Sequence, residues 1–180
     1  MQERLEAKEA RLAMEFPLFM EREAPVTKSK GMIDIECGFV GLIDGTDIDL
    51  VQKAVVTVTS LCPCSKEISD YGAHNQRGAV TVEVRTRKNA DGTPISMPMG
   101  DLIFAAEESA SCRIYPVLKR PDERWITMEA YENPVFVEDM VRGVAERLRD
   151  DERVESFRVH ARNFESIHGH DAFAETSWSR

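Results

Sequence analysis

Residues 31–43 read GMIDIECGFVGLI, and residues 51–61 read VQKAVVTVTSL. In the first stretch Ile33, Ile35, Cys37 and Phe39 alternate with Asp34, Glu36 and Gly38. Period two is the mark of a strand with one buried face. The second stretch is rich in β-branched residues and reads as the partner strand. Asp44-Gly45 between them supplies a turn. The fold is therefore built on a hairpin and the sheet that grows from it.

Outward from this hairpin, residues 79–87 give another strand, with Val80, Val82 and Val84 opposite Thr81, Glu83 and Arg85. Residues 153–164 give a further one, with Phe157, Val159 and Ala161 opposite Arg158, His160 and Arg162. The tail from 171 to 180 adds one more short strand. Asp101 is a cap for a helix over 102–112 with Leu102, Ile103, Ala106 and Ala110 inward. Asn133-Pro134 reads as a cap followed by proline at the first helical position, leading into Val137, Val141, Val144 and Leu148 at helical spacing. Residues 2–16 read as a charged helix carrying Leu5, Leu12 and Phe16, closed by a connector between Pro17 and Pro25. Residues 62–78 read as a loop with a short helix, and residues 117–132 as irregular. The sum is an α+β chain, an antiparallel sheet with helices packed on one face. Sheet order is left open, because the strand at 153–164 pairs only non-locally.

The 180 residues carry 32 Asp and Glu against 23 Lys and Arg, a formal charge of −9. That balance argues against a nucleic-acid surface, which needs clustered cations, and leaves room for a local basic pocket. No apolar run is long enough for a transmembrane helix. The N-terminus lacks the apolar core of a signal peptide. The four cysteines show no secretory spacing, so a cytoplasmic, reduced chain is expected.

Chemistry concentrates in three places. CPCSKEISDYGAHNQR (62–77) puts two thiols and an imidazole within thirteen residues, donors matched to zinc and workable for other divalent first-row metals. From spacing alone, Cys62, Cys64 and His74 read equally as thiols buried at a strand end and a loop histidine. NFESIHGH (163–170) places Glu165, His168 and His170 at a strand end, with the histidines alternating toward one side. Imidazole is the natural proton shuttle near neutral pH. An exposed polar turn is the plainer account of the same residues, and His160 reads as structural or solvated. LKRPDER (118–124) supplies Lys119, Arg120 and Arg124, with Glu123 as a ligand or base, or else a solvated charge run. Glu138 falls in a helical first turn, where the helix dipole alone favours a carboxylate.

Taken together, SLCPCSKEISDYGAHNQR, ASCRIYPVLKRPDERWIT, AYENPVFVEDMVR and NFESIHGHDAF resemble, in the same order, GTP cyclohydrolase I of type IB. The resemblance covers about residues 20–173. It implies the tunnelling fold, an antiparallel sheet with two helices on one face, in units that assemble into barrels. It implies a divalent metal (zinc, manganese or iron), GTP as substrate, and a homotetramer with sites at subunit boundaries. It implies Cys62, His74 and Glu123 as metal ligands with Cys64 as the alternative thiol. It implies Glu138 as the anchor of the guanine edge, and Glu165, His168 and His170 near the reacting part of the substrate. Lys119 and Arg120 are our own assignment to the phosphates. The implied activity is a hydrolase acting on a cyclic amidine, which turns GTP into 7,8-dihydroneopterin triphosphate and formate at the head of folate and pterin biosynthesis.

Family members are normally longer, with a preceding module that carries a string resembling GTHMSRF, and no such string occurs here. Residues 1–30 are therefore expected to be the last helix and connector of a first module, and residues 31–180 the catalytic module. Two other readings stand beside the main one. A related tunnelling-fold enzyme acting on a deazaguanine nitrile would use a cysteine nucleophile and NADPH, and bound metal separates it from the first. A non-catalytic assembly module would keep the fold and lack the activity.

Overall fold

The structure is a computed structural model and describes residue 4 and residues 6–180. Seven strands form one antiparallel sheet: β1 (Glu9–Glu23), β2 (Lys30–Asp44), β3 (Asp47–Leu61), β4 (Asn75–Thr86), β5 (Cys112–Arg113), β6 (Val154–Asn163) and β7 (Ala172–Ser179). Among the described residues four helices interrupt them: α1 (Pro63–Ile68), α2 (Met99–Glu107), α3 (Arg120–Glu132) and α4 (Val137–Asp150). The main path runs β1-β2-β3-β4-β6-β7, and β5 pairs with β3. The expected strands at 31–43, 51–61, 79–87 and 153–164 all form, as do the short helix after Cys62 and the strand in the tail.

One face of the sheet is covered. Ala54, Val56 and Val58 of β3, Val80, Val82 and Val84 of β4, and Phe157, Val159 and Ala161 of β6 point into a core closed by α2 and α4. Leu102 and Ile103 come from α2, and Met140, Val144 and Leu148 from α4. Each Val, Leu, Ile, Met or Phe side chain among them contributes about 1.5–3 kcal/mol on removal from water. The opposite face is open and charged. Lys53 pairs with Glu15 and Glu36, and Arg158 pairs with Glu83 and Glu175. Register sets Lys53 beside Glu83 and Glu83 beside Arg158, so opposite signs alternate across the central strands.

The sheet forks. β2 pairs with β3 only from Glu36↔Val55 to Asp44↔Asp47, whereas β1 and β2 stay paired from Glu9↔Asp44 to Glu23↔Lys30. Beyond the fork, β5 takes the edge of β3 at Val58 and Thr59. The β1–β2 ribbon is held at its tip by Asp122. This carboxylate is fully buried and accepts hydrogen bonds from Val26 N, Thr27 N, Thr27 Oγ1 and Lys119 N at 2.6 to 2.9 Å. Burial opposes its charge, yet these donors outweigh it and hold the carboxyl well below the usual carboxylate range.

Four expectations are corrected. Residues 9–16 do not form a helix: with residues 17–23 they make β1, paired along its whole length with β2. The helix-forming residues there yield to ladder pairing and to a period-two stripe of Phe16, Leu18 and Met20 against the core. Pro17 is tolerated because β1 is an edge strand. Residues 1–3 and Leu5 lie outside the described residues. Residues 9–23 are thus a strand of the same sheet as β2 instead of part of a helix and connector. The helix placed at 102–112 runs from Met99 to Glu107, with Asp101 in its first turn instead of at the cap. The stretch at 117–132 is not irregular, because Pro121 and Asp122 open α3 there. Asn133 closes α3 instead of opening the next helix, its Nδ2 donating to the carbonyls of Ala110 and Ser111, and α4 begins at Val137.

Candidate functional site

The site grows from the end of the β3–β4 hairpin. Leu61 pairs with Asn75, and just beyond them Cys62 N donates to His74 O at 3.1 Å. Both side chains are thereby brought to the same end of the sheet. The intervening loop folds on itself: Ser65 Oγ donates to Cys62 O and accepts from His74 N, each at 3.1 Å, and Cys62 caps α1 through Ser65 N at 3.5 Å. Two further segments are tied to this end. Val135 N donates to Leu61 O, and Ser60 Oγ donates to Val135 O, which sets the start of α4 beside Cys62. Asn163 Nδ2 donates to Ser60 Oγ at 2.8 Å, and Phe164 N donates to Arg77 O at 2.9 Å, which carries the 164–171 loop over His74. Gly78 leaves the room Asn163 needs, since a Cβ there would lie 2.7 Å from Asn163 Oδ1.

These segments enclose a cavity of about 340 Å³. Its lining includes Cys62, Cys64, His74, Glu138, Glu165, His168 and His170. His74 and Glu165 are largely buried, their nearest approach being 4.0 Å from Nδ1 to Oε2. His168 meets His74 edge-on at 6.4 Å between ring centroids and stacks on His170 at 5.3 Å. The other two cysteines are buried away from the site, where burial raises their thiols, Cys112 to about 11. Thiols of that kind are inert, which leaves Cys62 and the exposed Cys64 as the two that line the cavity.

Three expected residues are elsewhere. Glu123, Lys119 and Arg120 stand exposed at the start of α3 and line no part of this cavity. Among the described residues, no group of three His, Cys, Asp or Glu side chains is arranged to hold a metal. Cys62 and His74 fit a divalent ion as two ligands: a thiol and an imidazole share one cavity, and His74 Nδ1 lies 2.7 Å from Gln76 Oε1, which leaves Nε2 for coordination. Glu123 does not complete the set within this chain. Among the described residues no Lys or Arg lines the cavity, so its walls suit a base and sugar better than a polyphosphate. Gln76 and Asn163 are wall residues that motif reading passes over. Gln76 stands two positions after His74, and period two along an extended segment would have placed both on one side.

Fold and site together define an α+β chain whose sheet end holds a cavity of thiols, imidazoles and carboxylates. The chain belongs to the family of type I GTP cyclohydrolase folE2, whose family model matches residues 1–174. It is 51% identical over 174 residues to a GTP cyclohydrolase FolE2 of Nitrosococcus oceani, covering 97% of this chain and 62% of that one. It is 48% identical over 172 residues to a GTP cyclohydrolase FolE2 of Nitrosomonas eutropha, covering 95% and 62% respectively. The chain thus spans about 62% of the length of these relatives. Among solved structures, the uricase of Arthrobacter globiformis aligns at a TM-score of 0.48 and 11% identity, over 96% of this chain and 63% of that one.

Proposed function

We propose that this chain carries the catalytic module of a metal-dependent GTP cyclohydrolase, which hydrolyses GTP to 7,8-dihydroneopterin triphosphate and formate. The observation that supports it is convergence: seven residues from three separate sequence motifs line one cavity of about 340 Å³. In this reading Cys62 and His74 hold a divalent zinc, manganese or iron ion, with Cys64 as the alternative thiol. Such an ion supplies Lewis-acid activation of water near neutral pH. Glu138, at the start of α4, accepts the ring N–H and the exocyclic amine of guanine in two parallel hydrogen bonds and so orients C8. The ring nitrogens of His168 and His170, exposed at the cavity mouth, pass protons to and from the imidazole nitrogen of the base while water opens the ring and formate leaves. Glu165 beside His74 supports the charge that develops there. The ribose then rearranges and closes onto the diaminopyrimidine.

Self-association belongs to the same proposal, with a homotetramer as the expected form and the tunnelling fold as its architecture. Among the described residues, both outer strands, β1 and β7, have an unpaired edge in the single chain, and Leu12, Met14 and Phe173 on them are 46%, 46% and 70% exposed. Glu123, exposed on α3, would then complete the metal set of a neighbouring copy, and Lys119 and Arg120 would meet its triphosphate. The proposed setting is the cytoplasm. The four cysteines are free, and among the described residues no helix is long and apolar enough to cross a membrane.

The test is to load the purified chain with zinc or manganese, supply GTP, oxidise the products, and measure pterin fluorescence and formate, with a sizing run alongside. Equal formate and neopterin from an assembled species, both abolished by chelator, is the expected result. No product from assembled, metal-bearing protein would overturn the catalytic reading in favour of a non-catalytic assembly module.

A further inference from the structure

Gln76 has no part in the chemistry above, yet it is 8% exposed and sits between two residues that do. Its Oε1 lies 2.7 Å from His74 Nδ1, and its Nε2 donates to Glu165 Oε1 at 3.5 Å. An ionised carboxylate only accepts hydrogen bonds, so it dictates which end of an amide faces it. Turned the other way, Gln76 would set its carbonyl oxygen against the Glu165 carboxylate. With its NH₂ directed to Glu165, its oxygen must face His74. That oxygen only accepts, so Nδ1 of the neutral ring must be the nitrogen that bears hydrogen. The remaining neighbours agree: Glu165 Oε2, 4.0 Å from Nδ1, also accepts, and Ser166 Oγ at 3.5 Å can do either.

We infer that Gln76, itself oriented by Glu165, is a positioning residue that fixes His74 as the Nδ1–H tautomer and leaves Nε2 as a lone pair. The neutral ring of a histidine side chain free in water favours Nε2–H, so the cavity imposes the other tautomer. The relay Glu165–Gln76–His74 joins the loop after β6 to the start of β4. It supplies from an amide what a carboxylate or backbone carbonyl usually supplies to a ligating histidine. That the lone pair then binds a metal rests on the proposed function; the tautomer does not.

The experiment is nitrogen NMR of the histidine rings in the 180-residue chain, chelator-treated, at a pH where imidazole is neutral. His74 of the unaltered chain is expected as Nδ1–H. Gln76→Leu is expected to move the majority to Nε2–H and, separately, to weaken zinc binding by roughly 10–100-fold. Glu165→Gln leaves Gln76 in place but removes the charge that orients it, and is expected to give a mixture of tautomers. It also keeps the test open if Gln76→Leu does not fold. An Nε2–H ring in the unaltered chain, or an unchanged Nδ1–H ring in either variant, would overturn the relay. Because no substrate or metal enters the ring measurement, its failure would leave the proposed activity standing, and loss of that activity would leave the tautomer result intact.

Discussion

Cys62 and Glu138 reach the same cavity from different elements, the end of β3 and the start of α4, and the proposed function gives them separable tasks. Cys62→Ala is expected to lose bound metal, by more than the roughly 10–100-fold typical of removing a supporting residue. Glu138→Gln is expected to retain metal and to weaken GTP binding by about 1.5–3 kcal/mol, roughly 10- to 150-fold, the worth of a charged hydrogen bond. Metal analysis and equilibrium titration of both variants check the pair. Retained metal in Cys62→Ala would move the ligand to Cys64, and unchanged GTP affinity in Glu138→Gln would return that carboxylate to a helix-dipole role. At this scale much was legible in the sequence, because Cys62, Cys64 and His74 fall in one short string and Glu165, His168 and His170 in another. Gln76 was less so, since an amide announces no chemistry until its neighbours are known. Glu123 shows the opposite case. Its motif is plain, but residue type says nothing about which cavity a side chain reaches.

Among the elements, α3 was hidden for a physical reason. Only Asp122 and Ala130 of this helix are buried, while Trp125, Met128 and Tyr131 are 38%, 42% and 40% exposed, so no inward stripe marks it. Its anchor is instead the polar knot at Asp122, which closes the helix start and the β1–β2 turn together. Asp122→Asn is therefore expected to lower Tm at neutral pH. The folded carboxyl lies below the ordinary carboxylate value of about 4, so its contribution is complete above that value and fades as pH falls toward the folded one. The Tm gap between the two proteins should narrow in acid. Thermal unfolding at neutral and acid pH checks this, and a gap that stays constant would assign the effect to shape in place of charge. β1 taught a different lesson. Glu, Ala, Leu and Met favour a helix locally, but fifteen paired residues opposite β2 outweigh that preference.

For the whole molecule, the alternation in β2, β4 and β6 gave the covered face and the open face correctly, whereas sheet order depended on contacts between distant segments. The fork between β2 and β3 now has a consequence for how the chain breathes. Residues 18–23 and 30–35 form a ribbon of two strands that leans on the core through Leu18, Met20, Ile33 and Ile35, is tied to α2 by the Arg22–Glu107 ion pair, and is held at its tip by Asp122. A ribbon of that width opens at a lower free energy than central strands flanked on both sides. Amide hydrogen exchange should therefore divide the sheet into two populations. The ribbon is expected to exchange through local opening, and β3, β4 and β6 only when the whole chain unfolds. A single shared rate would mean that the knot at Asp122 couples the ribbon fully to the core. Two rates would make the ribbon a separately folding unit, able to loosen and re-form its outer edge while the cavity walls on β3 and β4 stay in place.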